Sequence, residues 1–238
     1  MVCVACAACP AQAPAGSTAE QAPPERAAAA AGVLEGTIVL EGEAPAAPPP
    51  TSLPESVWRQ CGRSLAARPL VTSPGRGIGG VVVSIEVKGS AGLEGPPPSI
   101  DQRGCEYLPG VLAARAGTTL EIHNSDPLIH TVRAGAGEKT LFNVGMPLEG
   151  MVTRKGLPTS AAVIELQCDV HPWMHAWIKT FEHPYFTQTD ATGHYRLEGV
   201  PSGKQKVIFW HPRLQQQERE VTIGSGKAVT LDAHLAVR

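Results

Sequence analysis

The sequence contains no apolar run that approaches the roughly 18 residues needed for a membrane-spanning helix. It also lacks an excess of charge, because 20 basic and 22 acidic residues leave a net charge of only -2. Such a balance gives no electrostatic footprint for nucleic acid or for an anionic membrane surface. We therefore expect a chain with no transmembrane span and no nucleic-acid partner.

Long helical segments are also scarce, since 25 Gly and 22 Pro interrupt the 238 residues. Between these residues lie short β-type runs, such as GVLEGTIVLEGEAP, GIGGVVVSIEVKG and TLEIHN. Only two segments could be helical: one short helix within residues 55–70, and a single turn within PWMHAWI. Regular short strands with turn residues between them are typical of β-sandwiches and barrels. The predicted fold class is all-β.

The first 31 residues have a different composition, with small residues, Pro and few large apolar groups that could support a core. We interpret them as an export signal remnant followed by a disordered tether. Cys3, Cys6 and Cys9 follow one another at two-residue gaps. They resemble part of an iron–sulfur motif, but the fourth thiolate is missing. Small residues before a cysteine fit an export signal better, with lipid on Cys6 or Cys9 as an open alternative. The predicted location is periplasmic or extracytoplasmic, with or without a lipid anchor.

The stretch QCDVHPWMHAW at residues 167–177 contains a thiol, an imidazole and a thioether at equal spacing. These are Cys168, His171 and Met174. A thiolate with two imidazoles forms a trigonal donor set that suits copper, and a thioether adds a weak axial contact. The second imidazole must come from elsewhere, and His130 in NSDPLIHTV is the natural candidate because it lies at the start of a β-type run.

Each of these donors also has a plainer interpretation. A lone Cys in a β core is usually a small buried hydrophobe, Met174 could pack with the neighbouring indoles, and His130 could be a satisfied core histidine. Zinc could use the same Cys and His donors but has little use for Met. Met146 is an alternative axial ligand, and His175 an alternative outer-shell group. We interpret the remaining histidines as structural or solvated: His123, His183, His194, His211 and His234.

Taken together, the run from Gly117 to Asp126, then His130, then C-x2-H-x2-M, resembles the cupredoxins over roughly residues 105–182. The short ligand loop is similar to that of amicyanins. The resemblance implies a Greek-key β-sandwich with one type 1 copper. It also implies that His130, Cys168 and His171 are equatorial ligands and that Met174 is the axial ligand. Where cupredoxins often have Asn after the first ligand His, this chain has Thr131, whose hydroxyl could serve instead.

The same resemblance implies a type 1 (blue) copper electron-transfer protein that cycles between Cu(I) and Cu(II) with periplasmic or surface redox partners, such as a c-type cytochrome. His171 would be the electron port, with Pro172 and Trp173 supplying an apolar surface. Copper enzymes such as multicopper oxidases and nitrite reductases need a further centre, typically built with H-x-H pairs. The sequence has no such pair, so we expect no enzyme activity. A non-redox module that binds or stores copper, or a structural or adhesion module, remains the alternative.

A second resemblance lies after the copper motif. TDATGHYRLEGVPSGKQKVIFWHP resembles the carboxypeptidase regulatory-like domain, a transthyretin-like β-sandwich that serves as a spacer or docking module, and GVLEGTIVLEGEAP resembles its first strand. The predicted domains are therefore residues 1–31 (signal remnant and tether), 32–100 (N-terminal β segment), 101–183 (cupredoxin-like) and 184–238 (carboxypeptidase regulatory-like). The copper domain is either inserted into the flanking sandwich or placed in series with it.

Two cysteines remain unassigned, Cys61 and Cys105. In an exported protein two leftover cysteines commonly pair, which predicts a disulfide between the first half of the chain and the start of the copper domain. Two buried free thiols are the alternative, and they would fit a cytosolic location.

Overall fold

The computed structural model describes residues 31–44, 55–61, 70, 72–87 and 97–238, with only the backbone described at residues 56–58. The predictions for Cys3, Cys6 and Cys9, and for the tether up to residue 30, lie outside these ranges. The described chain forms seventeen β-strands and one short helix. The all-β prediction is confirmed, and no helix in the described ranges is long and apolar enough to cross a membrane.

The elements follow one another along the chain with few long connections. The first half contains β1 (Gly32–Glu41), α1 (Glu55–Cys61), β2 (Val82–Ile85), β3 (Ser99–Gln102), β4 (Tyr107–Leu108), β5 (Val111–Arg115) and β6 (Thr119–Asn124). The middle contains β7 (His130–Ala136), β8 (Lys139–Met146), β9 (Val152–Gly156), β10 (Val163–Gln167) and β11 (His175–Phe181). The last part contains β12 (Phe186–Gln188), β13 (His194–Val200), β14 (Gly203–Trp210), β15 (Gln217–Ile223), β16 (Ala228–Thr230) and β17 (Ala233–Ala236).

One sandwich is built from both ends of the described chain. Its first sheet has the order β13-β1-β16, with β17 also paired to β1, and its second sheet has the order β12-β2-β14-β15. Alternation along β1 buries Leu34, Ile38 and Leu40 in its core, because successive side chains of a strand point to opposite faces. All four residues of β2 are buried, since Val83 faces this core while Val82 faces the other sandwich.

The other sandwich is built from the middle of the chain. Its sheets have the orders β5-β11-β10-β7-β8 and β4-β3-β6-β9. Strands β6 and β10 alternate in the same way, and they bury Leu120, Ile122, Ile164 and Leu166 in a separate core. This sandwich contains all four residues predicted to bind copper.

The strand pairings bear on how the two sandwiches are connected. β1 pairs with β13 and β2 pairs with β14, so strands from before and after the central sandwich share the flanking sheets. Where the chain passes from the central sandwich back to the flanking one, β11 ends at Phe181 and β12 begins at Phe186. The shared sheets and this short link favour insertion over a serial layout. The domain limits 32–100, 101–183 and 184–238 stay a prediction.

A small apolar cluster joins the two sandwiches, consisting of Val82, Val111, Phe181 and Trp210. The Lys179 ammonium lies 4.9 Å from the centre of the Trp210 ring. Burial at this junction lowers the pKa of Lys179 to about 8.

Two local expectations can be compared with the structure. The predicted helix within residues 55–70 is present as α1, which ends at Cys61. The helical turn predicted within PWMHAWI is wrong, because β11 begins at His175. Ala176 and Ile178 are buried while Trp177 is only half-buried, which is the period-two alternation of a strand. Pairing with β10 on one side and β5 on the other stabilises this extended backbone.

Candidate metal centre

The predicted ligand loop connects β10 to β11. The last residue of β10, Gln167, pairs with the first of β11, His175, so the intervening residues form a closed loop at one end of the sandwich. The Met174 amide donates to the His171 carbonyl at 2.9 Å, and the Cys168 amide donates to the Met174 carbonyl at 3.3 Å. These two hydrogen bonds turn the side chains of Cys168, His171 and Met174 into the protein, where all three are buried.

The structure brings three of the four predicted ligands together. His130, the first residue of β7, has its Nδ1 atom 2.9 Å from Nδ1 of His171, and the Cys168 Sγ atom lies 3.7 Å from the same His171 nitrogen. A metal ion about 2.0 Å from nitrogen and about 2.3 Å from a thiolate, in a trigonal arrangement, separates nitrogen and sulfur by about 3.7 Å. The nitrogen–sulfur spacing and the soft donor set therefore fit a single copper ion, while the 2.9 Å between the two imidazole nitrogens is shorter than the about 3.5 Å of that arrangement.

Asp126 orients the first imidazole. One carboxylate oxygen lies 3.0 Å from His130 Nε2 and also accepts the Cys105 amide at 2.8 Å. The other oxygen accepts the Gly104 amide at 2.7 Å. A carboxylate is an acceptor, so it places the His130 proton on Nε2 and leaves the Nδ1 lone pair facing Cys168 and His171. Sequence reasoning misses this role, because the Asp126-Pro127 dipeptide by itself indicates only a break in the chain.

Thr131 holds the two ligand segments together. Its hydroxyl accepts the Asp169 amide at 2.7 Å, and its own amide donates to Cys168 Sγ at 3.4 Å. The structure thus places Thr131 between the loops, where cupredoxins often have Asn. Burial raises the pKa of the Cys168 thiol, but its contacts with the His130 and His171 rings and with the Thr131 amide outweigh that effect and lower the pKa to about 5. A thiolate at neutral pH is the form that binds metals.

The two methionines have different surroundings. Met146 pairs with His130 across β7 and β8 and is fully buried, but its sulfur accepts a hydrogen bond from Gln102 Nε2 at 3.0 Å. Met174 is buried in the same core cluster as Cys168 and belongs to the ligand loop itself. The arrangement favours Met174 over Met146 as the axial donor.

The predicted disulfide between Cys61 and Cys105 is present, which confirms that expectation. It lies next to the candidate centre, because both sulfurs and a nitrogen of His171 are within 4.8 Å of one another. Trp173 donates its indole N–H to the Cys105 carbonyl at 3.1 Å, and its ring lies 5.1 Å from that of His171. His171 is only 6% exposed, so it is less open to solvent than the predicted electron port implies.

Three exposed apolar side chains lie in the segments next to the ligands. Ile129, which precedes His130, is 50% exposed, Val170, which precedes His171, is 43% exposed, and Leu148 is 67% exposed. We call Ile129, Leu148 and Val170 the ligand-end patch. The sequence signal for two of them is their position directly before a ligand. The expectation from sequence names only Pro172 and Trp173 for this surface.

The other histidines lie away from the three donors. His175 stacks on Trp177, and its ring nitrogens lie 3.1 Å from a Glu165 oxygen and 2.9 Å from the Pro172 carbonyl. His211 is buried in the flanking sandwich, and burial followed by the charge of Arg213 lowers its pKa to about 4. The other four, His123, His183, His194 and His234, are half-buried or exposed.

A cavity of about 320 Å³ separates the two sandwiches beside the candidate centre. Trp173, Met174 and Trp177 line it on one side, and His211 and Arg213 on the other. Sequence reasoning does not find this cavity, because its walls come from segments that are far apart in the chain.

Comparison with known proteins gives two results. Residues 148–236 match the family described as carboxypeptidase regulatory-like domain, so the match also includes β9, β10 and β11 of the central sandwich. No curated protein matches the chain. The sequence resemblance to the carboxypeptidase regulatory-like domain is confirmed by this family match.

Among solved structures, the chain is similar to three copper proteins. A Cu-containing nitrite reductase from Thermus scotoductus SA-01 shares 22% identity over 41% of this chain and 25% of its own, with a TM-score of 0.33. The chain thus spans about a quarter of that enzyme. A purple cupredoxin from Nitrosopumilus maritimus shares 23% identity over 35% of this chain and 99% of its own, with a TM-score of 0.31. A point mutant of amicyanin in its reduced Cu(I) form shares 19% identity over 42% of this chain and 98% of its own, with a TM-score of 0.33.

At these TM-scores the structural likenesses by themselves assign no function. The chain contains a segment that matches the carboxypeptidase regulatory-like domain, as one sequence resemblance predicted, and cupredoxins are among the solved structures that it matches.

Proposed function

We propose that the protein is a type 1 copper electron-transfer protein with His130, Cys168 and His171 as equatorial ligands and Met174 as the axial ligand. The observation that carries the proposal is the convergence on His171 Nδ1 of the His130 Nδ1 atom, at 2.9 Å, and the Cys168 sulfur, at 3.7 Å. Copper bound there would take up one electron from a donor and pass it to an acceptor. The chain's own residues hold the donors in position and exclude water.

Rigidity favours electron transfer at such a site. His130 belongs to β7, Cys168 directly follows β10, and Thr131 joins the two segments through its hydroxyl and amide. Asp126 orients His130 through hydrogen bonds that do not involve the metal. Donors that barely move when the metal changes charge keep the barrier to electron transfer low.

The burial of the donors argues against turnover of a bound substrate. His130 is 0% exposed, Cys168 3% and His171 6%. A catalytic metal site generally keeps a coordination position open to substrate, and these donors leave little access from solvent. We therefore propose an electron carrier and not an enzyme.

The ligand-end patch is the surface proposed for a redox partner. It consists of apolar side chains that flank two ligands, so a partner docked there comes close to the metal with little water between them. We propose a periplasmic or surface protein, such as a c-type cytochrome, as that partner. The disulfide agrees with an extracytoplasmic location, because disulfides persist in oxidising compartments. The flanking sandwich then serves as a spacer or docking module.

The test is the visible and electron paramagnetic resonance spectrum of the full chain loaded with Cu(II). We expect an intense visible band from thiolate-to-copper charge transfer and a narrow copper hyperfine splitting from the covalent copper–thiolate bond. The Cys168→Ser variant should lose both signals, and Met146→Leu should keep them as a matched control.

A wild-type spectrum that lacks the intense band, or one unchanged by Cys168→Ser, would contradict the proposal. A blue protein that cannot be reversibly reduced and reoxidised would instead support the alternative, a module that stores copper without redox cycling.

A further inference from the structure

The Cys61–Cys105 disulfide links two chain segments, and it also lies beside the proposed copper ligands. The described residues contain three groups of possible metal donors whose atoms lie within 4.8 Å of one another. One is the proposed copper set. The second joins Cys61 and Cys105 to His171, and the third joins Cys105 to Asp126 and His130. The Cys105 sulfur is therefore within 4.8 Å of a donor atom in each of the two imidazoles.

Cys105 is held firmly in this position. Its amide donates to Asp126 and its carbonyl accepts the Trp173 indole N–H. Its backbone has φ of 56°, in the left-handed region that a non-glycine residue rarely adopts. The two hydrogen bonds do not involve Cys61, so they hold the Cys105 backbone beside Asp126 and Trp173 whether or not the disulfide is closed.

The two sulfurs differ in access. Cys105 is 0% exposed, whereas Cys61 is partly exposed at the end of α1. A small dithiol can therefore attack the Cys61 sulfur, forming a mixed disulfide and releasing Cys105 as a thiolate. The second thiol of the reductant then displaces Cys61. Two electrons and two protons pass from the dithiol, which becomes a disulfide, to the protein, which gains two thiols.

We infer that reduction of Cys61–Cys105 creates a second metal site, specific for a soft monovalent ion such as Cu(I). The two thiolates are its principal donors, because thiolates are the ligands that Cu(I) prefers. His171 lies within reach of the same ion. Its Nδ1 atom faces His130 and Cys168, so Nε2 is the ring nitrogen that the proposed type 1 site does not use. The site shares His171 with the proposed function but is tested separately from it.

The experiment counts Cu(I) bound per chain, using anaerobic titration against a chromophoric Cu(I) chelator. All proteins carry Cys3→Ser, Cys6→Ser and Cys9→Ser, so that the N-terminal thiols bind no copper. Each is measured as purified and again after treatment with a small dithiol that is then removed by desalting. We expect one Cu(I) per chain before reduction and two afterwards.

The variants separate the two sites. Cys61→Ser combined with Cys105→Ser should bind one Cu(I) under both conditions. If near-ultraviolet circular dichroism shows that this double variant folds poorly, Cys61→Ser alone replaces it. It should also bind one Cu(I) under both conditions, because the second site then lacks one of its two thiolates. Cys168→Ser should bind none before reduction and one afterwards.

Each count decides one proposal. One Cu(I) per chain before and after reduction, with the thiols shown to be free by thiol titration, would overturn the second site and leave the proposed function intact. A second Cu(I) that also appears in the serine variants would place it elsewhere and equally overturn the inference. No Cu(I) before reduction but one afterwards would contradict the proposed function and support the second site.

Discussion

Replacing Asp126 by Asn should weaken both the fold and the metal centre. The Asp126 carboxylate accepts three hydrogen bonds, from the Gly104 amide at 2.7 Å, the Cys105 amide at 2.8 Å and His130 Nε2 at 3.0 Å. Asn has nearly the same shape but only one acceptor oxygen, and its other terminal atom is a donor. Whichever way the amide is turned, at least one N–H group meets another N–H group.

The magnitude follows from those three contacts. A hydrogen bond to a charged group contributes about 1.5–3 kcal/mol, and one to a neutral group contributes about 1 kcal/mol. Asp126→Asn removes one such bond and converts the other two from charged to neutral. We therefore expect the free energy of unfolding of the metal-free protein to fall by at least about 2.5 kcal/mol, the value that the lower end of these ranges gives. Loss of a carboxylate that orients a ligand histidine typically lowers metal affinity about 10–100-fold.

Two measurements test this reasoning on the full chain: urea unfolding without metal, and Cu(II) affinity by competition. Asp169→Asn is the matched control. Asp169 directly follows the Cys168 ligand, but its exposed carboxylate pairs with Arg133 and Asn143 and not with a ligand. We expect little change in the control. If Asp126→Asn unfolds at the wild-type urea concentration and binds Cu(II) with wild-type affinity, Asp126 does not orient His130.

Three further predictions test other parts of the structure. Thr131→Val should lower the free energy of unfolding by about 1 kcal/mol through loss of the hydroxyl acceptor, while Thr131→Ser should stay near wild type in urea unfolding. His211 has its folded-state pKa lowered to about 4, below its ordinary value of 6.5, so the unfolded chain binds the proton first. Neutral His211 should therefore contribute about 3 kcal/mol to the free energy of unfolding above pH 6.5, and this contribution should be lost as the pH falls towards 4. In urea unfolding, His211→Asn should lack most of this dependence of stability on pH. Replacing residues 88–183 by a short Gly-rich turn should leave a flanking sandwich that folds alone, since the Ile85 amide already donates to the Tyr185 carbonyl at 3.1 Å. A variant that lacks near-ultraviolet circular dichroism signals, and so has no fixed tertiary packing, would contradict the inserted layout.

The fold is largely predictable because its signals are local. Gly and Pro mark the turns, and alternation marks the strands, as in the run that forms β1. The error at PWMHAWI arises because a seven-residue apolar segment has no decisive period of its own. Pairing with β10 and β5, which are distant in sequence, determines that it is a strand. Long-range pairing outweighs the weak local preference here.

The residues of the candidate site also differ in whether local sequence or long-range pairing places them. Cys168, His171 and Met174 form a local motif, so the sequence contains their spacing directly. The position of His130 at the start of a β-type run makes it a candidate, but nothing near it in sequence indicates that its ring meets His171. Asp126 cannot be assigned from sequence, since its partners at residues 104 and 105 are brought to it by the pairing of β3 with β6.

That same pairing couples parts of the molecule that the sequence presents as separate. β3 lies beside β6, so the turn that carries Cys105 comes next to Asp126, and Asp126 in turn contacts His130. Through the disulfide, α1 is attached to this turn as well. Cys61 is therefore connected to a proposed copper ligand by the disulfide bond and by two of the three hydrogen bonds of the Asp126 carboxylate. We therefore expect reduction of this disulfide to affect the metal centre, although Cys61 and His130 are far apart in sequence.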